Sequence, residues 1–161
     1  MPIKNYTTSI AEEKTVGEIM GILASKGARS IKVDYDNVNR PEAISFVIAI
    51  HDVPIPFRLP CNFDGVFRSL ASEYKQSSMR ARWERNPENR SRARRIAWRI
   101  IKDWVAAQMA LIEAGQASVA EVFLPYAQAQ DGRTMFQRFV DGVAADRTLT
   151  DGTSDDKPRH Q

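Results

Sequence analysis

Between Arg80 and Lys102 the chain places seven arginines, then Arg99, at the start of an apolar stretch that contains Trp98 and Trp104. At helical spacing Arg92, Arg95, Arg99 and Lys102 share one stripe, while Ile96, Ile100, Trp104 and Leu111 share another. Such a helix offers guanidinium groups on one side and an apolar anchor on the other. The planar fork of arginine matches phosphate and carboxylate, so a row of arginines on a packed helix makes an anion-binding site. A solvated basic face is the other reading of the same run. Arg29 opens an expected strand, Arg58 lies in the element FRLP, and Trp83 stands among Arg80, Arg82 and Arg85 with few apolar neighbours. Arginine clamps phosphate and tryptophan stacks on a base, the two elements that a nucleotide or a single strand requires. Trp98 and Trp104 sit within apolar rows and are expected in the core, which leaves Trp83 as the stacking candidate.

Other chemistry is thinly represented. His51 lies beside Asp52 in an expected hairpin turn and His160 in a polar C-terminal stretch, so both read as surface residues. Cys61 is the single cysteine; it excludes an internal disulfide and reads as a small buried thiol. No Cys or His pair has ligand spacing, and DGTSDD lacks the remainder of a calcium loop, so no metal site is expected. Gly17 and Gly21 fall inside an expected helix without a Walker or dinucleotide fingerprint. Neither catalytic residues nor a cofactor are expected.

The elements that must position these residues follow from length and pattern. With 161 residues and 43% apolar content, the chain suits one domain over 1–146, followed by a polar tail over 147–161 that is expected to be disordered. The net charge of +3 is mild, so the basic character is local. The N-terminal MPIKNYTTSI has no apolar signal core, and no segment approaches the roughly 20 apolar residues of a membrane span. A soluble cytoplasmic protein is the expectation.

A weak alternation over 4–10 reads as a short strand, and Val16, Ile19, Met20 and Leu23 repeat at helical spacing before Gly27. Three further strands are expected over 29–36, 43–50 and 53–60, the last confined to an edge by its prolines. Asn62 or Asp64 caps a helix that runs to the Asn86-Pro87 break, and a long helix covers 88–114 up to Gly115. Ser118 caps a short helix ended by Pro125, and TMFQRFVDGVAA forms another. The sum is an α+β fold: a small antiparallel sheet with one N-terminal helix, then long basic and apolar C-terminal helices. The long helix is apolar over most of its circumference and must be covered accordingly, so self-association is expected.

KNYTTSI, GARSIKVDYD, FRLP, AWRIIKDWVAAQMALIEAG and EVFLPY, which together span most of residues 4–145, resemble small proteins encoded by bacteriophages and prophages. Among characterised members of that group, the order of a small sheet and basic C-terminal helices is similar to the first Thoeris anti-defence family. That resemblance implies a sponge in the infected bacterial cytoplasm, a homodimer or higher oligomer that sequesters a cyclic ADP-ribose signal without cleaving it. Carried over residue by residue, it implies phosphate contacts from Arg29 and Arg58 on the sheet and from Arg95 and Arg99 one helical turn apart, with Trp83 for the base. The arginine-rich RARWERNPENRSRARR departs from the family pattern. Two other roles stay open on the residues alone: nucleic-acid binding by that strip in phage replication or recombination, and docking to a host protein.

Overall fold

The computed structural model describes residues 9–151, with side chains as far as Asp146. Helix α1 (Glu12–Ser25) presents Val16, Ile19 and Leu23 inward and stops where Gly27 adopts a positive φ of 93°. Three strands follow, β1 (Arg29–Tyr35), β2 (Pro41–Ile50) and β3 (Val53–Pro60), paired antiparallel in the order β1-β2-β3. His51 and Asp52 both take positive φ, 48° and 65°, in the two-residue turn between β2 and β3, the backbone that matches the strands' twist. Alternation directs Ile44, Phe46, Ile48, Phe57 and Leu59 to one face of the sheet, against the helices, and Ser45 and Arg58, cross-strand partners, to the other.

Helix α2 (Phe63–Ser72) begins at Asn62, whose Oδ1 accepts from Gly65 N at 3.0 Å. The single helix expected up to Asn86 is in fact two. The chain leaves α2 at Glu73, turns through Tyr74, whose ring comes back to within 5.9 Å of Trp83, and restarts as α3 (Ser77–Glu84). Nothing in α3 is buried, so no core contact compels that stretch to continue α2. Helix α4 (Pro87–Glu113) starts with Pro87 in its first turn and the Asn86 side chain accepting from Glu88 N. α5 (Val119–Phe123) carries a complete capping box of Ser118 and Glu121, a 3-10 turn follows at Leu124–Tyr126, and α6 (Met135–Asp151) closes the described chain.

Most of the two apolar rows of α4 is covered by the chain itself. Trp98, Ile96, Val105 and Met109 are buried against α1, α2, the sheet and Phe123, while Leu111 remains 42% exposed. Trp98 is fully buried, and Trp104 meets Phe123 and Tyr126 edge-on at 5.6 and 5.5 Å. The strand expected over 4–10 lies almost wholly outside the described residues, and its last two, Ser9 and Ile10, are not in a strand. At the other end α6 continues to Asp151, into the stretch read as tail, and 152–161 lie outside the described residues. Among the described residues no helix is long and apolar enough to cross a membrane.

Candidate functional site

The arginines singled out in the sequence go to separate places. Arg58 lies on the outer face of the sheet, its Nε donating to Asp34 at 3.1 Å and Nη2 to Glu42 at 3.3 Å. Desolvation works against ionised Asp34, but the hydrogen bond from Arg58 and the charge of Lys32 together hold its carboxyl below the usual range. Arg99 donates to Glu18 of α1 at 2.7 Å, and Lys102 reaches the same oxygen at 3.2 Å; hydrogen bonding from Lys102 above all depresses the Glu18 pKa. Arg95 donates to Glu88 two turns back at 2.7 Å, while its buried Nε has no partner. Arg29 is exposed and lines a depression with Lys26, Asp52, Pro54 and Val119. Within one chain these four do not converge: the sheet stands between Arg58 and the α4 pair. Trp83 packs against Phe67 at 5.1 Å and lines a hollow of about 330 Å³ with Tyr74, Met79, Arg82, Asn86 and Asn89.

A different set does converge, at the first turns of α4. Arg40, Arg90, Ser91 and Arg94 line one hollow of about 370 Å³ with Val38 and Pro87. The loop between β1 and β2 builds one wall, and Asp36 organises it. Asp36 Oδ1 accepts from Val38 N at 3.0 Å and Arg40 N at 2.9 Å, while Oδ2 accepts from Arg94 Nη2 at 2.8 Å. The backbone bond from Arg40 is the main reason that the Asp36 pKa lies below the usual carboxylate range. Arg94 is buried and its guanidinium lies 3.8 Å above the centre of the Phe63 ring. Arg90 sits over Phe63 and Phe67 at 5.2 and 5.5 Å and pairs with the exposed Asp64 at 3.1 Å. Arg40 Nη1 donates to Ser91 Oγ at 3.3 Å. Tyr74, Trp83, Phe67, Arg90, Phe63 and Arg94 thus form one continuous row of rings and guanidiniums that joins the two hollows.

Beneath the arginines lies Glu12, buried with Oε2 unpartnered and Oε1 4.0 Å from Arg40. Burial raises its pKa despite the charges of Arg94 and Arg40. Burial, with Glu12 adding to it, also pushes the Cys61 thiol up to about 12, as befits a small buried thiol. Among the described residues no group of acidic, His or Cys side chains could hold a metal ion.

No known family, curated protein or solved structure matches this chain. The site is therefore read from its own geometry. Arg40 and Asp36 were not among the residues singled out in the sequence, and Arg90, Ser91 and Arg94 entered only as members of the strip RARWERNPENRSRARR, not as a phosphate pocket. Their signals are the Asn86-Pro87 helix start, the i, i+4 spacing of Arg90 and Arg94, and an aspartate opening the turn DNVNRP.

Proposed function

We propose that the protein captures a phosphate-bearing nucleotide without catalysis, in the manner of the cyclic ADP-ribose sponges that its sequence resembles. The phosphates sit at Arg40, Arg90 and Arg94, and the base at Trp83 and Tyr74. One observation carries this reading: three guanidiniums line a single hollow at the N-terminal turns of a long helix, where the backbone also favours negative charge. The hollow beside it offers an aromatic wall, and the two together have the size of a small-molecule site. Arg94 is held fixed by Asp36 and Phe63. Arg90 and Arg40 have weaker acidic partners, an exposed pair and a 4.0 Å approach, so both can turn toward an incoming phosphate at small cost.

Isothermal calorimetry with a panel of cyclic ADP-ribose isomers and inorganic pyrophosphate tests the reading. Arg40→Ala or Arg90→Ala is expected to weaken binding by about 1.5–3 kcal/mol, the worth of a charge-assisted hydrogen bond. Arg58→Ala is expected to leave it unchanged. Absence of heat with every member of the panel would overturn it.

Charge distribution supports a second reading, binding of single-stranded nucleic acid. Residues 75–95 contain eight Lys and Arg against two Glu, a local +6 in a chain of net +3. Arg80 and Arg85 donate to the carbonyls of Tyr74 and Ala81, contacts that leave their charges uncompensated. Under this reading affinity for an oligonucleotide falls steeply with salt and is insensitive to Arg40→Ala.

A further inference from the structure

The sheet has a notch where β2 outruns β1. In an antiparallel ladder each residue directs its N–H and C=O to one side of its strand, and successive residues alternate. Proline has no N–H to exchange, so Ala43, Val47 and Ala49, which stand opposite Pro60, Pro56 and Pro54 of β3, turn these groups the other way, toward β1. The Pro56 carbonyl correspondingly faces away from β2 and accepts from Gln128 N. Val47 meets Arg29 on the β1 side, and Ala43 meets Asp34. For Ala49 there is no such partner. β1 begins at Arg29, Gly27 takes the preceding chain away with its φ of 93°, and among the described residues no hydrogen bond reaches Ala49 N or O. A free donor and a free acceptor on one extended residue are the smallest unit of an edge that can take another strand. Beside Ala49 lies a hollow of about 610 Å³ with Val47, Pro54 and Val119 as apolar walls, Arg29 and Lys26 where β1 begins and Asp52 at the hairpin turn. Lys26 Nζ is engaged by Glu113 at 2.6 Å, whereas Arg29 is exposed and has no ion pair among the described residues.

We infer that this notch binds the C-terminal residue of an extended peptide, paired antiparallel to β2 and in line with β1. Two features choose that occupant. The first is the closed end: a strand laid along Ala49 toward Val47 runs into the protein's own chain at Gly27–Arg29, so the ligand must terminate there. The second is charge. Antiparallel pairing brings a carboxylate to Arg29 and leaves Asp52 at the upstream end of the peptide, whereas the reverse direction sets an ammonium against Arg29. The last residue of the peptide then donates its N–H to Ala49 O, one carboxylate oxygen accepts from Ala49 N, and the other faces Arg29. Its side chain shares a face with Ala49 and Pro54, which are cross-strand neighbours, so an apolar side chain suits the position. Phosphate has no N–H for the Ala49 carbonyl and would use half of the notch. This hollow shares no lining residue with the one at Arg40, Arg90 and Arg94, and the inference does not rest on the nucleotide reading.

Amide NMR of the isotope-labelled full chain tests the site, with a pool of N-acetylated tetrapeptides ending in Ala, Val, Leu or Ile as the probe. The Ala49 amide resonance is expected to shift and to saturate as peptide is added. Amidating the peptide's C-terminus, methylating the nitrogen of its last residue, and Arg29→Glu are each expected to weaken binding by about tenfold or more. The first two changes leave the protein untouched, and Arg29 is exposed, so melting is expected to be the same throughout. An Ala49 resonance that does not move, or an affinity indifferent to amidation or to N-methylation, would overturn the inference. Inorganic pyrophosphate shifting Arg29 and Ala49 as strongly as the peptides would assign Arg29 to phosphate instead. Slow hydrogen exchange at the Ala49 amide in the free chain would show the notch filled from within. Either result likewise overturns it.

Discussion

The start and the middle of α4 use the same residue type differently. Toward the middle of the helix, Arg99 is bound tightly to Glu18 of α1, above a wall of Trp98, Val105 and Met109, and its charge is spent on joining two helices. At the start, Arg90 and Arg94 lie over phenyl rings, and Arg90 meets its carboxylate only in solvent. Arginine number is therefore a poor guide to a binding site. What separates Arg99 from Arg90 is whether the acid opposite is held by the fold and shielded, or exposed and easily exchanged; Arg94, held by the shielded Asp36, is paired as Arg99 is.

The contrast can be broken most strongly from the packed end. Trp98→Ala removes the largest fully buried side chain and is expected to cost about 3–5 kcal/mol in urea unfolding, whereas Arg82→Ala in the exposed corner is expected to change stability by less than about 0.5 kcal/mol. Equal losses would dissolve the distinction. Arg94→Ala tests the boundary between the two ends, since this residue is both buried and in the hollow. It is expected to lose about 2 kcal/mol of stability together with ligand binding, while Arg90→Ala weakens binding by about 1.5–3 kcal/mol with little change in melting. Ser118→Ala breaks the capping box that fixes α5 against Trp104, at about 1 kcal/mol by thermal denaturation, with no effect on binding.

The smallest effect is a pH dependence. Burial raises the Glu12 pKa above its unfolded value, so the folded chain holds that proton more tightly. Stability from this group is complete below the unfolded pKa and is lost as pH rises through the folded one. Glu12→Gln is therefore expected to melt higher than the wild type at neutral pH, with the gap closing in acid; a constant gap across the range would contradict it.

Much of the fold was legible. Gly27, Gly115, the caps Asn62 and Ser118, Pro87 and the alternation of β2 all mark their elements in one dimension. The break between α2 and α3 was not, because it depends on Tyr74 turning back to Trp83, a contact within a stretch of ordinary helix formers. Nor was the site. Stripes on a helix show which arginines share a side, but Glu18, 81 residues before Arg99, cancels that stripe, and Asp36, 58 residues before Arg94, builds the hollow. Both are tertiary facts. The expectation of a second copy came from the apolar circumference of α4, most of which α1, α2 and the sheet cover.

β3 carries Pro54, Pro56 and Pro60 on the outer margin of the sheet, where Gln128 N already takes the Pro56 carbonyl at 2.8 Å. The opposite margin, β1, is irregular, with register shifts on both sides of Lys32 and Asp34 and a positive φ at Ser30. Among the described residues neither margin presents a straight run of free amides, which disfavours joining copies strand to strand. Crowding the folded protein is then expected to give no fibrils built by strand addition at either margin.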